Sequence, residues 1–306
     1  SVTFPSSLEQ LASPVFDGCS NINGFYGNEK FHSSDNKCLY YIPSSFESTL
    51  DPSTQSGPYL VHFADSSIEE YTIPEGIIGI NGVGFNMAKN LKRLTLPNSL
   101  TWVNSLAFTG CDKLEAVYGE HTSIDNKCIV IDNSLYAYVA RDGVTNYIIP
   151  DNITSIQSEA FSCISSTLEH ISMSDNVTEI AYYSFAWMES LKSITLSANL
   201  KKIGVDRGIV VGPDYNPFLG SNNLESIYFR SLVPPTYADT QMSEWNKLTV
   251  YVPKGYLEVY KSSGWSPFAK YMKEYEYTDL PFDYISSDYS QDGKVTALQT
   301  ATVGEG

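Results

Sequence analysis

Basic residues are scarce in this chain. Against 35 Asp and Glu stand only 19 Lys and Arg, so its 306 residues carry a formal net charge of −16. That balance repels a phosphate backbone, and no local Lys/Arg stripe offsets it, so nucleic acid is a poor partner. Anionic membrane surfaces are disfavoured for the same reason. Long hydrophobic runs are missing too: no stretch of about 18 apolar residues occurs, so no direct membrane insertion is expected. The chain has no initial Met and no charged-then-apolar leader. The expectation is a removed export signal or a piece of a longer chain. Histidine is limited to His32, His62, His121 and His170, which share no metal-binding spacing, and neither His-Glu-x-x-His nor Gly-x-Ser-x-Gly occurs. Gly79-Ile80-Asn81-Gly82-Val83-Gly84 imitates a nucleotide loop but lacks the final Gly and falls in a turn. No catalytic constellation, cofactor or metal is therefore expected.

Cysteine is also sparse and odd in number: Cys19, Cys38, Cys111, Cys128 and Cys163. Two readings are open. Cys19, Cys111 and Cys163 occupy equivalent positions and suit a buried ladder of free thiols, since Cys packs as a small hydrophobe. Alternatively, the similar separations Cys19–Cys38 and Cys111–Cys128 suit paired disulfides. No spacing matches a zinc site of the Cys₄ or Cys₂His₂ type.

What the chain has is a repeat. Hydrophobic residues make up 42% of it and aromatics 13%, with 22 tyrosines. Tyrosine offers a rigid face with a polar tip, useful either for protein or glycan contact or for burial in strands. One phrase recurs: Tyr71-Thr72-Ile73-Pro74 is followed by Ile77, Ile80, Phe85, Leu91 and Leu94. Leu94-Thr95-Leu96-Pro97 leads to Leu100, Val103, Phe108, Cys111, Leu114 and Val117, and Ile148-Ile149-Pro150 to Ile153, Ile156, Phe161, Leu168 and Ile171. Further copies begin at Ile171 and Ile194. Phe85 to Phe108 is 23 residues and Phe161 to Phe185 is 24. Phe108 to Phe161, at 53, is one period plus about 30 inserted residues, and Phe185 to Phe218, at 33, is one plus about ten. A period in the twenties with Leu-x-x-Leu-x-Leu strands is the leucine-rich-repeat signature.

The first module joins in. Val2-Thr3-Phe4-Pro5, Leu8, Leu11, Phe16 and Cys19 each precede their counterparts from Leu94 to Cys111 by 92 residues, and Asp35-Asn36-Lys37-Cys38 returns as Asp125-Asn126-Lys127-Cys128. With Ser1 already inside a repeat, the expectation is a domain edge or further repeats before it. Inserted β-hairpins are expected at about 28–70 and 119–147, and a cap at about 248–275 in which Trp265 and Phe268 lid the core. The predicted fold is a right-handed leucine-rich-repeat solenoid of the α/β class over residues 1–275. It has short parallel strands, turns or short helices opposite them, and an extended tail or linker at 276–306.

These residues resemble the BspA-like leucine-rich-repeat proteins of oral and gut bacteria. The match lies in Ile-Pro-x-x-Ile-x-x-Ile, Ala-Phe-x-x-Cys-x-x-Leu, the hairpin before Tyr-x-Ile-Pro, and Val252-Pro253-Lys254-Gly255-x-Leu257-x-x-Tyr260 followed by Trp265. The resemblance implies a secreted or cell-surface protein that adheres to host proteins or other bacteria. The Gly208–Pro217 insertion and the irregular first module depart from the pattern. The tail, from Asp288 through Gly304, resembles the lead-in to IgA-peptidase-type zinc metallopeptidase domains, which would place a catalytic domain beyond Gly306. Asp288-x-Ser290-x-Asp292-Gly293 also imitates half of a calcium loop, but Gln299 stands where the bidentate carboxylate belongs.

The candidate binding surface is the strand face. In Leu-x-x-Leu-x-Leu the apolar residues point inward, so the intervening ones point out. That presents Arg93, Thr95, Tyr118, His170, Ser172, Thr195 and Tyr228 on strands stacked roughly 4.8 Å apart. The partner expected there is a host or bacterial surface protein or glycan. Two other readings stand beside it: a targeting module of a larger surface hydrolase, and a structural spacer with a merely soluble face.

Overall fold

The computed structural model describes residues 1–11, 16, 19, 21–42, 57–64, 66–86, 88–162, 167–205, 216–237 and 248–280. It is a parallel β-solenoid with a rise of about 23 residues per turn. Contacts divide it into two compact units: residues 1–142 with 156–165, and residues 143–155 with 166–306. Cys163, most of the Gly208–Pro217 insertion, the calcium-like run and the metallopeptidase-like tail lie outside the described residues.

In the first unit the front strands are Glu70–Thr72, Arg93–Thr95 and Ala116–Tyr118. They pair in parallel, with Tyr71 beside Leu94 beside Val117. The short strands Gly79–Ile80 and Trp102–Val103 form the next row and extend an antiparallel pair made by Cys38–Tyr41 and Tyr59–Phe63. Between the two rows, Ile73, Ile77, Ile80, Phe85, Leu91 and Leu94 are buried, and the next turn repeats this with Leu96, Leu100, Val103, Phe108, Cys111, Leu114 and Val117. The apolar phrase is therefore the core. Phenylalanines stack from turn to turn, Phe63 on Phe85 at 5.0 Å and Phe85 on Phe108 at 5.7 Å, the latter nearly parallel at 9°.

Local chemistry fixes the turns. Asn104 accepts the amide of Leu106 at 2.9 Å and so starts the 3₁₀ turn Ser105–Phe108. The duplicated Asp-Asn-Lys-Cys tract forms the same turn twice. Ser33 Oγ accepts the amides of Lys37 and Cys38 at 3.1 and 2.8 Å, and Ser123 Oγ those of Lys127 and Cys128 at 3.1 and 2.9 Å. Asn36 and Asn126 take the left-handed conformation each turn needs, a region Asn tolerates well. The hairpin of Cys128–Ile131 and Ser134–Tyr138 closes through two left-handed residues, Asp132 and Asn133, the turn whose twist suits flanking strands. Gly27 and Gly119 close two front strands where the backbone passes the preceding strand. A β-carbon there would stand 2.1 Å from the Phe4 carbonyl oxygen or 2.9 Å from that of Leu96.

The second unit carries six parallel front strands: Asn146–Ile149, His170–Met173, Ser193–Leu196, Ser226–Phe229, Thr249–Pro253 and Met272–Tyr275. The last of these stands apart from the cap as read from sequence. Met272 pairs with Val250, 22 residues earlier, so one further repeat spacing runs through the cap itself. Glu179–Ala181, Lys202–Val205 and Thr236–Tyr237 form the row behind. Among the described residues, α-helix is confined to Leu257–Lys261, and 3₁₀ turns supply the rest. In the cap, Tyr260 and Trp265 pack on Phe229 at 5.1 and 4.7 Å. Their polar tips donate to the carbonyls of Ser231 and Pro235 at 2.8 and 2.9 Å, so burying them orphans no polar group.

The cysteines correct the sequence reading in one place. Cys38, Cys111 and Cys128 are buried thiols outside any disulfide, and Cys111 donates its S–H to the Phe85 carbonyl of the turn before it at 3.2 Å. Cys19, likewise a thiol, is exposed in the copy that begins with Val2–Phe4, so the ladder position is not covered there. Neither spaced pair forms a disulfide. Burial pushes the Cys38 thiol far above its ordinary range, which keeps it protonated and unreactive.

Two outcomes are expected. Phe108→Ala, which removes a fully buried ring stacked on Phe85, lowers unfolding free energy by about 3–5 kcal/mol, whereas Leu106→Ala at the surface costs under about 1 kcal/mol. Urea titration of both variants checks this. Alkylation of the native protein followed by peptide mass spectrometry labels Cys19, while Cys38, Cys111 and Cys128 react only after denaturation.

Candidate functional site

The strand face differs between the two units. In the first, outward positions alternate with the inward row Tyr71–Leu94–Val117, in which Leu94 and Val117 are fully buried and Tyr71 partly so. Glu70, Arg93 and Ala116 lie in one register row, and Thr72, Thr95 and Tyr118 in the next. Glu70, Tyr71, Thr72, Arg93, Thr95 and Tyr118 surround a concavity of about 180 Å³. Arg93 is exposed and pairs with Glu70 at 2.5 Å. The Glu70 carboxylate, with a smaller part from the Tyr118 hydroxyl, holds the guanidinium above its ordinary pKa. Tyr118 is 37% exposed and Thr95 half-buried. The concavity is thus framed by a carboxylate–guanidinium pair, hydroxyls and one phenol ring. Its volume falls below the roughly 300–1,000 Å³ of small-molecule pockets, which suits a projecting side chain or a terminal sugar.

The structure therefore brings Arg93, Thr95 and Tyr118 together. It adds Glu70, Tyr71 and Thr72, which sequence reasoning left out of the surface. The signal was present: Glu70 lies 23 residues before Arg93, one repeat.

In the second unit the face is partly closed, against expectation. Ser172 and Thr195 were read as outward-facing, but they are 0% and 1% exposed, and Tyr228 only 8%. The reason is size and neighbours. Ile148, Ser172, Thr195, Tyr228 and Tyr251 form one register row, in which the two small side chains lie between larger ones. Tyr228 stacks on Tyr251 at 4.4 Å and 4°, and Tyr275 meets it edge-on at 5.4 Å. Arg230 is itself buried. It donates to the carbonyls of Leu196 and Met173 at 3.2 and 2.6 Å and pairs with Asp175 at 2.6 Å, which lays its side chain across the ends of two strands. His170 remains half-buried, with Nδ1 2.7 Å from Ser193 Oγ. Burial pulls its imidazole below the ordinary histidine value, against a smaller upward pull from Glu169.

Among the described residues no three His, Cys, Asp or Glu side chains converge as a metal site would need, and no helix is long and apolar enough to cross a membrane.

Comparison with known proteins places these features in a family. The model of the BspA type leucine rich repeat region, six copies, matches residues 1–58, 59–140 and 118–207. No curated protein matches the chain. Similar solved structures include a leucine-rich repeat protein of T. pallidum, 16% identical over 72% of this chain and 81% of that one, TM-score 0.35. A leucine rich cell surface protein from Faecalibacterium prausnitzii is 18% identical, covers 80% of each chain and has a TM-score of 0.38. The pneumococcal vaccine antigen PcpA is 14% identical over 89% of this chain and 54% of its own, TM-score 0.33.

His170 yields a pH prediction. The folded state holds its proton less tightly than the unfolded chain does, so the stability tied to the neutral ring is complete above the unfolded value near 6.5 and falls as pH drops below it. Proton NMR should show His170 titrating below 6.5. Thermal unfolding of His170→Asn should lose less stability than the parent as pH falls through that window; parallel curves would contradict the assignment.

Proposed function

Because this chain belongs to the BspA-type leucine-rich-repeat family, whose model matches it from residue 1 to 207, we propose that it is a recognition module at a bacterial cell surface. It engages a surface protein or glycan of the host or of another bacterium, and performs no chemistry on it. The observation that carries this reading is the arrangement of Arg93, Thr95, Tyr118 and Glu70 around one open concavity on a rigid strand row. Arginine and tyrosine are the side chains most often found at the energetic centre of interfaces. Here both stand on strands whose inward neighbours, Leu94 and Val117, are fully buried, so they are presented with little conformational freedom left to lose on binding.

Chemistry also narrows the partner. The chain's charge of −16 sets up repulsion against strongly acidic surfaces, so a neutral or basic partner approaches it most readily. Arg93 offers a planar, donor-rich head to a carbonyl, carboxylate or sugar hydroxyl, and its pairing with Glu70 fixes where that head lies. The second unit contributes less on this reading, because Ser172, Thr195 and Tyr228 are covered and only His170 keeps part of its surface.

An array of matrix proteins, host-cell proteins and glycans, followed by titration of the strongest hit, tests the proposal. Arg93→Ala and Tyr118→Ala should each weaken binding by about 30-fold, corresponding to about 2 kcal/mol, while leaving the melting temperature unchanged. Ser172→Ala, at a covered position, should bind as the parent does. A saturable hit whose affinity ignores Arg93 and Tyr118 would move the site elsewhere, and a blank array would remove the binding role.

A further inference from the structure

A second feature lies away from the strand face, in the turn between the strands Glu179–Ala181 and Ser193–Leu196 of the second unit. Among the described residues, seven other than glycine have positive φ, and four are Asn or Asp, which tolerate that region. Glu159, Tyr183 and Trp187 are the rest. Trp187 stands two residues after the ladder Phe185. The equivalent positions after Phe108 and Phe218 are Gly110 and Gly220, at φ 76° and 72° against 58° for Trp187. The sequence varies at this position, with Met87 after Phe85 and Cys163 after Phe161, but glycine holds it in the two other copies whose positive φ is seen. Here it is the largest side chain, in a conformation bulky residues rarely adopt. That indole is 50% exposed. Strain and exposure both disfavour it for stability, the combination that marks a site kept for another reason.

The neighbours shape the ring's seat. A β-carbon on Gly220 would stand 2.5 Å from the indole Cδ1, so glycine on the next turn is what lets the indole lie there. The Trp187 amide donates to the Leu219 carbonyl at 2.7 Å, which fixes the backbone beneath it. Tyr183, also left-handed, places its ring 5.8 Å from the indole at 41°, and Tyr182 meets Tyr183 edge-on at 5.2 Å and 78°.

We propose that Trp187 and Tyr183 form a sugar-binding platform that stacks on the apolar face of a neutral pyranose, with Tyr182 at its edge. Ser184, Phe185, Ala186 and Met188 between and beside the rings are buried, so on this turn the aromatic side chains are what is presented. Two rings 5.8 Å apart can both touch one sugar. A sugar's C–H face meets the electron-rich ring face, and the tyrosine hydroxyls border hydroxyl groups. Exposed Glu189 and the negative chain disfavour acidic sugars, and a platform of aromatic rings needs no charge on its ligand, so a neutral sugar fits it.

The test uses the full chain on an array of neutral oligosaccharides in gluco, galacto, manno and N-acetylglucosamine configurations, then titrates the best binder by calorimetry and tryptophan fluorescence. Binding should shift the emission to the blue and protect it from acrylamide, a change absent in Trp187→Gly. That variant places glycine where the fold uses it elsewhere, so its melting temperature should equal or exceed the parent's while affinity falls at least tenfold. Trp187→Phe should retain part of the affinity, and Arg93→Ala should retain all of it, separating this site from the strand face. No neutral sugar binding at millimolar concentration, binding that survives Trp187→Gly, or an effect of Trp187→Gly on a protein partner alone would each overturn the proposal.

Discussion

Every position in this molecule is set by strand register. A front strand contributes one inward residue that must sit beside its equivalent on the neighbouring turn, as Tyr71, Leu94 and Val117 do in the first unit and Tyr147, Ile171, Ile194, Ile227 and Val250 in the second. Slipping by one residue would turn each apolar side chain to water and bury its polar neighbour, so register is held by burial as well as by backbone hydrogen bonds. Chain spacing follows from this constraint and does not create it. Ser193 pairs with Ser226 across 33 residues and Arg93 with Ala116 across 23, yet the strands align in the same way. An insertion is admitted wherever it leaves the apolar residues in line.

The same constraint separates what is free to vary. Outward residues on the front strands lie outside the rung and carry the chain's individual chemistry. On the first unit they hold Arg93 and Tyr118 around an open concavity. On the second they hold small side chains, stacked tyrosines and Arg230, whose hydrogen bonds to Met173 and Leu196 make it part of the framework. The surface ion pairs repeat at one-turn spacing, Glu69 with Lys92 and Glu169 with Lys192. Exposed pairs of this kind contribute little to stability, and they trace the register more than they hold it.

Much of this architecture was legible in the residues. The apolar phrase, the phenylalanine spacing and the duplicated Asp-Asn-Lys-Cys tract specify strands, core and turns, because each rests on local chemistry repeated in order. The strand Met272–Tyr275 was less visible: its sequence, Met-Lys-Glu-Tyr, has only two apolar residues, and only the 22-residue spacing from Val250 marks it. The exposure of Cys19 was not visible at all, since its sequence neighbourhood, Phe16-Asp17-Gly18-Cys19, matches Phe108-Thr109-Gly110-Cys111.

Sequence by itself determined the repeat, the inward residues and the outward parity of the front strands. These depend on periodicity, which a single chain displays in full; the expectation of a surface protein came from the motifs' resemblance to a family. Only the tertiary structure decided which outward residues meet solvent. Arg93 and Tyr118 do; Ser172 and Thr195 do not, because exposure depends on the size of side chains one and two turns away, such as the stacked Tyr228 and Tyr251 in their register row. The left-handed seat of Trp187 was equally beyond a linear reading: it exists because Gly220, a whole turn later, leaves the space into which the indole folds.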